Sequence, residues 1–294
     1  MISVKEAFAT YKGRLEITQT EQDDASRRQK DVRATVQAAF DVRYDFLTGS
    51  YGRHTKTKPL KDVDIFVVLS AGEEHRRKKH PKFVLDDLEK CLVEKYGRDQ
   101  VERDRRCVTV WFEKRNKTQD EDGKVLSLDV VPAFENGHDY EIPDDTLGTW
   151  IATNPSVHAE RATAKNKELS GNWVPLVKML KGWNRHAGKP IRPSFLVEVM
   201  ALELVDGPFN TFPDESRRFF SAAAATIGDD WLDPAGLGPA VSDEMTPALA
   251  DTARRALSSA EVLATRAFRA EQQGRQGEAI ALWKQIFGRY FPST

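Results

Sequence analysis

The chain has 294 residues, is 40% apolar, and balances 44 Lys and Arg with 45 Asp and Glu to a formal net charge of −1. It is long enough to bury a sizeable core in one large domain or two lobes. Its near-neutral charge excludes a global positive field, so any polyanion site has to be local. Two cysteines, Cys91 and Cys107, cannot supply the usual four-ligand structural zinc set and allow at most one disulfide. They are expected as small core residues. The first residues are too charged for a signal peptide, and no apolar run approaches the ~20 residues of a membrane span, so a cytoplasmic protein is expected.

Taken in chain order, residues 3–40 carry apolar side chains at helical spacing, with Val32, Val36, Ala39 and Phe40 in one stripe. Short β-rich runs follow at about 43–48, 63–69, 106–112 and 125–131, as neighbouring strands of one sheet. Between the second and third, residues 81–96 place Phe83, Leu85, Leu88, Leu92 and Val93 at helical intervals, as a helix covering a sheet face would. Between the third and fourth, KRNKTQDEDGK reads as a hairpin connection ending near Asp-Gly. Beyond Pro155 only helices are predicted, near 156–169, 173–186, 194–205, 215–227, 247–273 and 277–287, and residues 233–246 read as a surface connection. The expected fold class is α+β.

The chemistry concentrates in FLTGSYGRHTKTKPLKDVDIFVVL, residues 46–69. A strand runs into Gly49-Ser50, and after a polar turn Asp62-Val63-Asp64 heads the next strand. Residues two apart in a strand point to one side, so Asp62 and Asp64 project together. Asp129 sits in the apolar run VLSLDVV, where a lone carboxylate is costly to bury unless a cation compensates it. Hard oxygen ligands suit Mg²⁺, and two such ions about 4 Å apart clamp the attacking and leaving oxygens of an in-line phosphoryl transfer. Gly49 lets backbone approach a triphosphate, and Ser50 with the following amides can donate hydrogen bonds to it. Taken singly, Gly-Ser is an ordinary turn and Asp-x-Asp a solvated strand end. In this order, on compatible strands, they indicate an active site.

These residues resemble the pattern of the polymerase-β nucleotidyltransferase superfamily. More narrowly, GSYGRHT, LDVVPAF, WIATNP, LVKMLKGWN and the ending AIALWKQIFGRYFP resemble the bacterial CD-NTase family, relatives of cyclic GMP-AMP synthase and oligoadenylate synthetase. The resemblance implies a polymerase-β-like sheet lobe packed on a C-terminal helical lobe. Residues 1–154 would form the catalytic lobe with its N-terminal helices, and 155–294 a helical lobe completing the nucleotide cleft. It implies a Mg²⁺-dependent synthase that makes a cyclic di- or trinucleotide second messenger from ribonucleoside triphosphates, ATP among them, in antiphage (CBASS) signalling. Gly49 and Ser50 would hold the donor triphosphate. Asp62, Asp64 and Asp129 would bind two Mg²⁺ ions, or Mn²⁺ in their place, with Asp129 helping to activate the acceptor hydroxyl.

Lys178 and Lys181, three apart on one helix face, match basic positions that reach the donor phosphates, and Ser194 in RPSF matches a polar position near the base or phosphates. The ordinary alternatives are a solvated helix face for the lysines and a helix N-cap for Ser194. The family implies an effector downstream and, for some members, a HORMA-type activator protein, while others work unaided. The chain lacks the zinc insertion of the animal enzyme, so no zinc is expected and activation by nucleic acid is not indicated. The basic runs at 75–80 and at Arg103, Arg105, Arg106, Lys114, Arg115 and Lys117 are interrupted by acids without interleaved aromatics, and read as solvated loops. Two rival readings use the same lobe: transfer of nucleotides to an RNA end, a protein or a small molecule, and a non-catalytic nucleotide sensor. The presence of all three carboxylates and the Gly-Ser speaks against the sensor.

Overall fold

The computed structural model describes residues 2–112 and 126–293. The expected hairpin KRNKTQDEDGK, the basic residues Lys114, Arg115 and Lys117, and Val125 at the head of the fourth expected strand lie outside the described residues.

Residues 3–40 form two helices, α1 (Val4–Arg14) and α2 (Gln19–Ala39), because the stretch holds two start signals. Ser3 and Thr18 each close a capping box: the hydroxyl accepts the amide three residues on, and Glu6 or Glu21 accepts the cap residue's own amide, at 2.7 and 2.8 Å. The chain then enters β1 (Val42–Thr48), a single helical turn α3 (Gly49–Gly52) and β2 (Asp62–Leu69). After a short α4 (Glu74–Arg77) come α5 (Lys82–Tyr96), β3 (Val101–Arg103), β4 (Val108–Trp111), β5 (Ser127–Asn136), β6 (Asp139–Asp144) and β7 (Thr149–Thr153).

The strands order as β1-β2-β5-β4-β3, with β6 added to β5 and β7 to β6. Only β2 and β5 run parallel among these pairs. Alternation splits the sheet into two faces. Val63, Ile65 and Val67 of β2 with Leu128 and Val130 of β5 bury one face against Val32 and Val36 of α2 and Leu85, Leu88 and Leu92 of α5. The other face carries a small cluster of Phe66, Val68 and Ala133. The three strands that composition did not announce are β3, β6 and β7. They are short, or in β6 half polar, so a two-residue period has too few repeats to stand out.

The remaining helices are α6 (Pro155–Glu168), α7 (Trp173–His186), α8 (Ser194–Leu204), α9 (Phe212–Thr226), α10 (Pro247–Gln272) and α11 (Gln276–Phe287). The chain divides into two compact units, one of residues 17–159 with 235–238 and one of residues 1–16, 160–234 and 239–294. The chain passes from the first of these units to the second at 159/160, a few residues after the expected 154/155. Helix α1 belongs to the helical unit, where Phe8 meets Trp283 at 5.0 Å and Phe291 at 5.1 Å edge to face, and Tyr11 packs on Phe287. Residues 235–238 belong to the sheet unit, where a Cβ on Gly238 would come within 2.8 Å of the Ala152 carbonyl oxygen. Cys91 and Cys107 are both free and half-buried, and Cys91 packs against the α2–α5 core. Among the described residues no helix is long and apolar enough to cross a membrane.

Candidate active site

The parallel pairing of β2 with β5 sets the site. Its register places Asp64 beside Asp129 and Asp62 beside Ser127. On the flanking strands Thr48 of β1 pairs with Asp64, and Thr109 of β4 pairs with Asp129. A row Thr48, Asp64, Asp129, Thr109 thus crosses four strands, on the face away from the α2–α5 core, with Asp62 one pleat along. The structure brings together the three carboxylates singled out in the sequence.

Gly49 is fitted to this row in two ways. Its φ of +59° lies in the left-handed region, and a Cβ there would stand 1.6 Å from Asp64 Oδ2. The strand end and the carboxylate therefore meet at a position only glycine allows. Ser50 is 8% exposed, and its carbonyl accepts the amides of Thr55 and Lys56 at 3.0 and 3.1 Å, folding the following loop back on the turn. The helix begun at Gly49 is a single turn, so it contributes a few amides rather than the dipole of a long helix.

The electrostatics are those of like charges held together. Burial, with the negative charge of Asp64 beside it, pushes the Asp129 carboxyl up to about 8, and Asp62 and Asp104 push the same way. The hydroxyl of Thr109 opposes this by donating to Asp129 Oδ1 at 2.7 Å. Cys107 faces the same charges: burial first, then Asp129, Asp104 and Asp64, hold its thiol well above the usual range. Sequence reasoning missed Thr109 and Cys107. The alternation of VTVW contained the signal for Thr109, since Val108 and Val110 face the core and Thr109 must face the acids. The carboxylates supply hard oxygens held close together, the donor chemistry of a divalent cation site. Even so, among the described residues no group of three His, Cys, Asp or Glu closes into a metal cage.

The other expected site residues lie in the helical unit. Lys178 is buried on α7 and reaches both carboxylate oxygens of Glu16, at 2.7 and 2.8 Å. Lys181 donates to Glu198 of α8 at 3.0 Å. Neither lies on the solvated helix face that was the ordinary alternative, because each ammonium is drawn onto a carboxylate. Ser194 is exposed and is the first residue of α8; Pro193 holds the N-cap position, and that cap makes no side-chain hydrogen bond. The capping role is thereby corrected.

The basic runs expected as solvated loops are engaged in ion pairs at their arginines. Arg76 pairs with Glu73 and Asp87, Arg77 with Glu74 and Glu141, and Arg103 with Asp86 and Asp145. Arg105 and Arg106 both bind the fully buried Asp144, at 2.8 and 2.9 Å. Lys78, Lys79 and His80 remain exposed.

Residues 2–166 match the Second Messenger Oligonucleotide or Dinucleotide Synthetase domain. The chain is 30% identical over 271 residues to a cyclic AMP-AMP-AMP synthase of an Acinetobacter species, covering 85% of this chain and 73% of that protein. Among solved structures it is similar to Escherichia coli CdnC with ATP, at a TM-score of 0.73 and 19% identity over 99% of both chains. It is similar also to the CdnC complex with a HORMA protein, at 0.69 and 20% over 98% of both. These two likenesses show that the chain shares the CdnC fold. The domain match and the synthase relative establish that the chain belongs to the bacterial CD-NTase family of second-messenger synthetases, nucleotidyltransferases that build cyclic oligonucleotides.

Proposed function

We propose that the protein joins ribonucleoside triphosphates, ATP among them, into a cyclic di- or trinucleotide, and that Asp62, Asp64 and Asp129 carry the reaction. The observation behind this reading is the placement of Asp64 beside Asp129 on parallel strands, with the Gly49 backbone against the Asp64 carboxylate. The ATP preference rests on the Acinetobacter cyclic AMP-AMP-AMP synthase and on CdnC having been solved with ATP.

The three carboxylates fit a pair of Mg²⁺ ions, or Mn²⁺ in their place, because each offers hard oxygens and their mutual repulsion is relieved by a cation. When bound, the metal supplies charge stabilisation for the α-phosphate and the departing pyrophosphate. Asp62 and Asp64 hold the metal-binding edge. Asp129, whose Oδ1 takes the Thr109 hydrogen bond, presents Oδ2 to the acceptor ribose hydroxyl and takes its proton. Gly49 and Ser50 bring backbone close to the donor triphosphate, and Lys178, Lys181 and Ser194 contact the nucleotide. The hydroxyl oxygen bonds to the α-phosphorus as the bond to pyrophosphate breaks; the second such step closes a dinucleotide ring and the third a trinucleotide ring, each releasing one pyrophosphate.

The HORMA complex of CdnC supports a HORMA-type protein as activator, and the family supports a role in antiphage signalling from the cytoplasm. The test is incubation with Mg²⁺ and four α-labelled ribonucleoside triphosphates, with and without such a partner, followed by phosphatase treatment. Phosphatase-resistant products that vanish when one triphosphate is omitted are expected. Incorporation only into an added RNA, protein or small molecule would overturn cyclisation in favour of transfer to that acceptor.

A further inference from the structure

We infer that Glu198 is a positioning residue that holds Lys181 ready for the donor triphosphate. The inference rests on the proposed contact between Lys181 and that triphosphate. Glu198 lies one turn after Ser194 on α8, between the buried Val197 and Val199, and its own side chain is 1% exposed. A carboxylate at such a position is a poor choice for stability, because a buried ion pair can usually be exchanged for apolar residues without loss. Its value lies in what it does to the lysine.

The ammonium of Lys181 has three N–H donors. Among the described residues its acceptor is Glu198 Oε1, at 3.0 Å, and its side chain is 11% exposed. The charge is therefore fixed and largely withdrawn from water while two donors are left for a ligand. That is the condition in which a cation binds phosphate without first shedding solvent or freezing rotamers. Lys178, one turn earlier, provides the contrast. It meets both oxygens of Glu16, whose side chain is 51% exposed, so its donors are more fully used and its carboxylate is solvated. Two lysines on one helix face thus differ in readiness, and the difference comes from the carboxylates opposite them.

The test is a double-mutant cycle on the full chain, read by calorimetric binding of Mg²⁺ and an ATP analogue with a methylene bridge between the α- and β-phosphorus atoms, with Tm measured for each variant. Glu198→Gln and Lys181→Met are each expected to weaken binding by about tenfold, and the double variant to bind within about twofold of Lys181→Met alone. Glu198→Asp, which keeps the charge on a shorter arm, should recover part of the affinity. It carries the same cycle if Glu198→Gln does not fold. Wild-type affinity in Glu198→Gln, or an equal loss from it in the Lys181→Met background, overturns the positioning role alone. Wild-type affinity in Lys181→Met overturns the contact of Lys181 with the triphosphate, and the positioning role with it.

Discussion

Asp129 and Asp144 are carboxylates of the same sheet unit in opposite surroundings. Asp144 ends β6 fully buried, a position that by itself raises a carboxyl, yet hydrogen bonds from Arg105, the Leu147 amide and Arg106 hold it below the usual range. Asp129 is raised to about 8, because burial is joined by Asp64 rather than by an arginine. The first is an acid whose cost is offset within the fold. The second is an acid whose ionisation the fold opposes, and a carboxyl perturbed in this way by burial and a like charge marks a functional site more often than a structural one.

The contrast is broken most severely by chemistry. Asp64→Ala and Asp129→Asn are each expected to lower product formation by on the order of 10³-fold or more, with circular dichroism and Tm showing an intact fold. Persistent turnover in either would remove the acid row from the mechanism. Gly49→Ala, whose Cβ would stand 1.6 Å from Asp64 Oδ2, should cost about 10²-fold by displacing that carboxylate. A fully active Gly49→Ala enzyme would show that the close approach is dispensable.

Stability should respond in the opposite sense. Asp144→Asn leaves Arg105 and Arg106 facing a neutral group and should destabilise by about 2–3 kcal/mol, discounted because both arginines are partly solvated. This corresponds to a fall in Tm of several degrees, about 2–4 °C per kcal/mol. Equal Tm values for variant and wild type would assign the cluster no structural weight.

The pH dependence sharpens the same contrast. The folded value of Asp144 is depressed, so its contribution is present above the ordinary carboxylate range and lost as pH falls through the folded value. The penalty of Asp144→Asn should therefore shrink in acid. Asp129 is raised, so the unfolded chain releases its proton first and stability declines as pH climbs from the carboxylate range toward about 8. Asp129→Asn should accordingly gain in Tm, relative to wild type without added metal, between pH 5 and pH 9; a gain at pH 5 equal to that at pH 9 would contradict the assignment. The smallest effect expected is from Thr109→Val, which deletes the hydrogen bond to Asp129 Oδ1 and should slow turnover by about tenfold. Wild-type turnover in that variant would leave Thr109 a structural residue only.

Much of this was legible in residue order. Asp-x-Asp at a strand head fixes the side of two carboxylates by alternation alone, and an aspartate inside VLSLDVV declares its own cost, so the acids could be named before their partners were known. Helix α7 begins and ends where its apolar spacing and flanking turns place it. Partnership was harder to read. An apolar stripe on residues 4–14 says which face of α1 is buried but not against what, and its partners Trp283 and Phe291 stand far along the chain. Likewise two lysines three apart identify a shared face, while the carboxylates that claim them, Glu16 and Glu198, come from other elements.

The placement of α1 also bears on how the chain matures during synthesis. The Val4 amide is bonded to Gln276, 272 positions later, and the aromatic surface of Phe8 waits for Trp283, Phe287 and Phe291. At roughly 5–20 residues per second of translation that delay is on the order of tens of seconds, during which residues 17–159 can be completed while the first helix stays unpaired. Helix α1 is thus made well before the residues that bury it, and its apolar face has to wait for α11 and the segment after it.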